Sequence, residues 1–429
     1  MPVLLAQGLA NGEYSQILQK LYHNPEVAAL RWSTLIEGFK TYYKQPEAKL
    51  RLFSAPGRVE IGGNHTDHQN GCVIAAAINL DTACAAVKTN SGIIRIKSVG
   101  HKEDIIDLTT LETARHGEEN HAASLIRGIC VGLKQRGYEI GGFNAYTSSE
   151  VKSASGLSSS AAFEIAIGTI LSYLYNDGEI PPIELAQIGQ FAENHYFGKP
   201  SGLMDQAASA VGGFVFFDFE NPANPLCERI PFDFSASGHR LIITHTGGGH
   251  GELTGEYSAI TSEMTAVAEI LGATRLREAG EAAFSAAIPQ IRERLGDRAV
   301  LRAMHFFAEN RRAKQQAISL CDGDFDEFKR LVRDSGKSSF CYLQNLYVSS
   351  SPLLQPLSLA VALSEQILES EGAFRVHGGG FAGTILAIVP TYLISEYTSK
   401  MAAVFGEGAC EVLSIRESGG IELLPNQKL

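Results

Sequence analysis

The sequence predicts an α+β protein of two domains, on three observations. The chain has 429 residues and is 45% hydrophobic, enough for two or three cores. Helical and extended periodicities alternate through the second half, long helices among short apolar strands. A polar run, Glu220 to Pro225, interrupts the strand signals near mid-chain and marks a candidate boundary. Charge narrows the function: 36 basic against 47 acidic residues give a net charge of -11. The basic residues form no stripe, so nucleic acid is excluded as an expected partner. No stretch reaches the roughly 18 apolar residues of a membrane span, and the first residues lack a basic leader. A cytoplasmic protein with no membrane partner is therefore expected. Seven cysteines without C-x-x-C spacing read as reduced thiols, most of them core filler.

Taken in order, residues 12 to 44 carry apolar side chains at helical spacing, broken at Asn24-Pro25, and are expected to pack outside a core. Leu50 to Ser54 reads as a short strand. The next stretch, APGRVEIGGNHTDHQNG (55 to 71), has the glycine, histidine and aspartate content of a functional loop. Cys72 to Val87 predicts one or two buried strands, Ile93 to Ser98 another, residues 121 to 136 a helix, and Gly142 to Ser149 a strand. EVKSASGLSSSAAFEIAIG (150 to 168) follows, a small-residue turn that runs into a helix apolar on nearly every face. Ser155, Gly156 and Ser158 to Ser160 leave their backbone N–H groups open to an anion at the positive end of that helix. An ordinary serine-capped core helix accounts for the same residues equally well.

The spacing then predicts a helix over Ile183 to Phe197, a second small-residue turn KPSGLMDQAASAVGG (199 to 213), and strands at Phe214 to Phe219 and Leu241 to Thr246. Helices are expected at 254 to 271, 297 to 320, 353 to 368 and 392 to 405, and strands at 374 to 378, 383 to 389 and 410 to 415.

Three turns stand out: 57 to 71, 153 to 160, and HGGGFAG at 377 to 383. In order and wording they resemble the GHMP small-molecule kinases, and within them the galactokinases, whose motifs read GRVNxIGEHTDYxxG, GLSSSA and TGGGFGG. AENHYFGKPSGLMDQ (192 to 206) is similar to that family's AEHxFAGxPCGIMDQ, and Gly255-Glu256-Tyr257 to its SEY. The likeness runs from about Phe53 to about Val389.

The resemblance implies an N-terminal ribosomal-protein-S5-like domain and a C-terminal ferredoxin-like α/β layered domain, with the active site between them. Domains are placed at 46 to 222 and 223 to 429, with residues 1 to 45 as a helical lead packed on the first. The implied reaction moves the γ-phosphoryl group of ATP to the anomeric hydroxyl of a hexose, galactose or a derivative of it. Arg58 and Asp205 are the implied catalytic residues, a fixed cation and a carboxylate base. Asn64, His65, Asp67, Asp205, Tyr257 and Gly379 are the implied sugar contacts. Ser155, Gly156, Leu157, Ser158, Ser159 and Ser160 would hold the nucleotide, and Ser160 and Glu193 the Mg2+ that accompanies ATP. A monomer working on a small-molecule sugar is expected.

The chain departs from the pattern in two places. The Glu before His-Thr-Asp is Asn64, the Asn after Arg-Val is Glu60, and the Tyr after the Asp is His68. The VPxGGG that leads into GLSSSA has become Val151 to Gly156, with two glycines lost and Lys152 in place of proline. These changes motivate a second reading, a catalytically degenerate sensor of sugar and nucleotide.

Overall fold

A computed structural model describes the chain except for residues 1–4, 23, 112–117, 119–120, 153–155, 200, 248–253, 382 and 428–429. The backbone divides into two compact units, which are not contiguous in sequence. The first holds Met1–Arg58, Ala76–Gly213 and Ile415–Leu429, and the second Val59–Ala75 and Phe214–Ser414. The expected division at 222/223 treats each half as one stretch. The observed change-over falls at 213/214, and the last fifteen or so residues rejoin the first unit.

The first unit opens with α1 (Leu5–Ala10), α2 (Ser15–Leu21) and α3 (Pro25–Tyr43). Pro25 sits where a helix start tolerates it, and the Asn24 side chain accepts from the N–H groups of Glu26 and Val27. These helices lie on the sheet through one face: Trp32, Ile36 and Phe39 have no exposed surface and cluster with Leu52, Ala83 and Ala85, while Val27 and Leu30 of α3 are exposed. That sheet is built from β1 (Arg51–Gly62), β2 (Cys72–Lys88), β3 (Ile93–Ser98), β4 (Glu103–Asp107) and β5 (Phe143–Ser149). β1 therefore runs well past the expected Ser54. Almost every residue of it is buried, so the alternation that betrays a half-exposed strand is missing, and its glycines and Pro56 imitate a loop.

Four helices complete the unit: α4 (Ala122–Gln135), α5 (Ser159–Tyr175), α6 (Pro182–Ala192) and α7 (Met204–Val211). The helix expected to reach Phe197 stops as α-helix at Ala192 and continues as a wider π-turn over Glu193–Phe197.

In the second unit, β6 (Phe214–Asp218) and β7 (Leu226–Ile230) form an antiparallel hairpin. The run Glu220 to Pro225, expected as a linker, lies in its turn, since polar residues serve a hairpin and a linker alike. β8 (His239–His245), α8 (Thr254–Ile270), α9 (Leu276–Ala279), α10 (Glu281–Leu295), α11 (Asp297–Cys321), α12 (Phe325–Ser338), α13 (Pro356–Leu368), β9 (Ala373–His377), β10 (Thr384–Pro390), α14 (Ile394–Phe405) and β11 (Cys410–Leu413) follow. The four-stranded antiparallel sheet has the order β11-β8-β10-β9 and shares one core with α13 and α14, through Ile242, Val376, Leu357 and Tyr397. The last strand, β12 (Ile421–Leu423), returns to the first unit and pairs antiparallel with β1, Leu52 opposite Leu423. The order there is β12-β1-β2-β5-β3-β4. Among the described residues no helix is long and apolar enough to cross a membrane.

Candidate active site

In the first unit, two segments that lie 147 positions apart in sequence meet through Arg58 and Asp205. Arg58 lies within β1, and its backbone N–H donates to the carbonyl of Leu157 at 3.1 Å. A side chain on Gly57 would stand 2.8 Å from that same carbonyl, so glycine is needed for this approach. The guanidinium donates to Asp205 Oδ1 through Nε at 2.8 Å and lies 2.7 Å away through Nη2, while Nη1 donates to Gly156 O at 2.5 Å. Asp205 occupies the first turn of α7, and its other oxygen accepts from Ser158 Oγ at 2.5 Å. Burial pushes the Asp205 carboxyl up, but the Arg58 charge and the Ser158 hydroxyl outweigh it and hold the group below the ordinary aspartate range. An ionised carboxylate, 24% exposed, therefore faces the turn that opens α5. Ser158, the residue that precedes that helix, has φ of 61°, a left-handed conformation uncommon for residues other than glycine.

Of the expected nucleotide residues, Leu157 is buried, Ser159 opens α5, and Ser155 lies outside the described residues. Ser160 Oγ donates to Glu193 Oε1 at 3.0 Å, which joins the two expected metal ligands. The π-turn places Glu193, whose Oε1 also takes Lys199 Nζ at 2.8 Å. A hydroxyl and a carboxylate are the hard oxygen donors magnesium prefers, and a nucleotide-bound ion needs only one or two from the protein. Among the described residues no larger acidic or histidine cluster gathers.

Behind Glu193 stands an arrangement the motifs did not announce. Gln206 Nε2 donates to Glu193 Oε2 at 2.9 Å and to Glu164 Oε2 at 3.0 Å, so one amide spans two carboxylates. Burial and then the Glu193 charge push Glu164 well above the ordinary range.

In the second unit, the loop after β1 carries the expected sugar residues. His65 holds φ of 57°, and its Nε2 donates to the carbonyl of Gly379 at 3.0 Å. Asp67 opens a 3-10 turn and is half-buried. Tyr257, on α8, donates its hydroxyl to Gly380 O at 2.7 Å. A Cβ on Gly379 would lie 2.3 Å from the Tyr257 ring, so this glycine makes room for the tyrosine. Asn64 stands apart from the rest: it has no exposed surface, and protein groups occupy all four of its hydrogen-bonding capacities. The hydrogen bonds of this side chain, expected to reach the sugar, are made to protein groups.

The loop is held from below by α11. Glu309 Oε1 accepts from the N–H groups of Gly63 and Asn64 at 3.1 and 3.4 Å and from Ser335 Oγ at 2.5 Å, and Arg312 pairs with its other oxygen. Burial raises the Glu309 carboxyl, but Arg312, His305 and Arg375 overcome it and bring the group down to about 2. His305 Nε2 donates to the Asn64 carbonyl at 2.9 Å, and burial lowers this imidazole to about 4, so it is neutral. Their i, i+4 spacing on a predicted helix is the one sequence signal that could have put His305 and Glu309 on a common face.

Comparison with known proteins identifies the family. Residues 123–213 match the profile of the GHMP kinases N terminal domain, and residues 37–88 the galactokinase galactose-binding signature. A galactokinase of Bacillus subtilis is 29% identical over 366 residues, covering 83% of this chain and 90% of the relative. The crystal structure of Lactococcus lactis galactokinase complexed with galactose has the same fold, with a TM-score of 0.75 at 24% identity over 91% of this chain and 99% of that one. A galactokinase of Streptomyces coelicolor is 30% identical over 391 residues, 90% of this chain and 96% of the relative. With that identity sustained over nearly the whole length of both proteins, the chain belongs to the galactokinase family of GHMP kinases.

Proposed function

We propose that the protein transfers the γ-phosphoryl group of ATP to the anomeric hydroxyl of galactose, yielding galactose 1-phosphate. The observation that carries this reading is the Arg58–Asp205–Ser158 constellation at the mouth of α5. Asp205 accepts the proton of the anomeric hydroxyl. Its lowered pKa makes it a weak base, which suits a loose phosphoryl-transfer transition state in which the nucleophile needs orienting more than activating. Arg58 fixes the carboxylate and supplies positive charge for the phosphoryl oxygens. The backbone of Gly156 to Ser160, at the positive end of α5, seats the phosphates.

Ser160 and Glu193 would hold magnesium, which when bound with ATP neutralises phosphate charge. Lys199, already on Glu193, adds a cation at the same place. His65, Asp67, Tyr257 and the Gly379 backbone take the sugar, with donors and acceptors in fixed geometry.

The test is galactose 1-phosphate formation with ATP and Mg2+, in wild type and Asp205→Asn. Substitution of a general base by an isostere should cut kcat by about 10²- to 10⁴-fold while the melting temperature stays within a few degrees. Full turnover by Asp205→Asn would remove the base. Thermal stabilisation of the wild type by galactose and ATP without product would favour the sensor reading instead.

A further inference from the structure

Glu60 and Asn64, two departures from the galactokinase wording, are in direct contact. Asn64 Nδ2 donates to Glu60 Oε1 at 3.1 Å, and the same oxygen accepts from Arg375 Nη2 at 2.7 Å. Where the family pattern reads Asn then Glu, this chain reads Glu then Asn. We propose that the two residues are one compensated exchange, a carboxylate and an amide that have traded places within a single buried contact, and that with Arg375 they position the His65–Asp67 loop instead of touching the sugar.

Each residue demands the other. Asn64 Oδ1 accepts from Ser339 Oγ at 3.2 Å and from Asn345 Nδ2 at 3.0 Å, contacts that a carboxylate at position 64 would accept equally. Its Nδ2, however, donates to Gly378 O at 2.7 Å as well as to Glu60, and two acceptors facing one group require a donor between them. A carboxylate at 64, a position with no exposed surface, would meet the Glu60 carboxylate. Arg375 imposes the converse condition. Its Nη1 and Nε donate to the carbonyls of Ile61 and Val376, both at 2.9 Å, and with the guanidinium wholly buried its charge needs the Glu60 anion. Changing either residue alone leaves a buried charge or acceptor unmatched, whereas changing both restores one anion, one amide and one guanidinium and leaves only the Gly378 carbonyl without its amide donor. The Asn64 backbone is fixed as well, through Glu309 and His305, so the contact sets the floor on which His65 takes its left-handed conformation.

This inference rests on the reading that the loop receives the sugar. It is tested by a double-mutant cycle of Glu60→Asn, Asn64→Glu and the two combined, read by melting temperature and by steady-state kinetics. Each single variant should lower the melting temperature and raise KM for galactose about tenfold, with kcat and KM for ATP within about twofold. The combined variant should recover at least about half of the thermal loss and bring KM back to within about threefold of wild type. Additive losses would overturn the exchange, and thermal coupling without movement of the galactose KM would overturn the positioning role. Should Asn64→Glu not fold, Glu60→Gln keeps the shape and removes the charge, and unchanged stability and KM there would count against the proposal in the same way. The thermal arm needs no substrate, so a wild type inert towards galactose speaks against the kinase reading alone.

Discussion

Glu309 offers a prediction whose size follows from the structure. The isosteric change Glu309→Gln removes the charge that faces Arg312 and turns one of its oxygens into a donor aimed at a cation. In the fold the carboxyl titrates at about 2 against an ordinary 4.5. At about 1.4 kcal/mol per pH unit, this corresponds to about 3 kcal/mol of stability at neutral pH. A unit of about two hundred residues loses about 2–4 °C per kcal/mol, so the melting temperature should fall by about 6–12 °C. The pH dependence supplies the control. Because the folded carboxyl lies below its unfolded value, its contribution is complete above about 4.5 and drains away as pH falls toward 2. Calorimetry across that interval should show the wild type losing stability and the Glu309→Gln variant nearly level in this respect. A variant within about 2 °C of wild type at neutral pH, with the same acid slope, would refute the reasoning.

Two further outcomes follow from the packing. Gly379→Ala puts a methyl group where the Tyr257 ring lies 2.3 Å away, so the ring must move and its bond to Gly380 is lost. Galactose KM should rise at least about fivefold with KM for ATP unchanged, measured by steady-state kinetics. Arg416→Met removes one of the two cations on Asp81, a carboxylate with no exposed surface. Calorimetry should record a loss of about 3 kcal/mol, at the lower end for a broken buried pair because Arg31 still faces the aspartate. A loss below about 1 kcal/mol would mean that Arg31 alone satisfies it.

Much of the fold was legible because its helices and strands advertise themselves through period and breakers. Asn24-Pro25 marks a helix start by donor chemistry alone, and the apolar run of α5 reads as buried without any partner in view. β1 extends beyond its sequence signal because burial on both faces erases the alternation on which strand recognition depends. Likewise Glu220 to Pro225 has the composition of any polar connection, and only pairing partners distinguish a hairpin turn from a linker. The site divides along the same line. Arg58, Asp205 and Glu193 sit in motifs whose wording carries their roles. Glu309, His305 and Arg375 support the same loop from 240 or more positions away, by bonds to backbone atoms that leave no local signature. Asn64 and Glu60 were visible as two anomalies, but that they touch is a fact of three dimensions only.

The pairing of β12 with β1 has a consequence for how the protein is made. Leu52, Phe53 and Ser54 leave the ribosome early, yet their hydrogen-bonding neighbours are Leu423, Glu422 and Ile421, which are synthesised more than 360 residues later. Throughout translation this edge of β1 stays open, a ready template for strands of other nascent chains. The first unit thus closes last, and a ribosome that stalls anywhere before residue 415 releases a product with its seam unsewn.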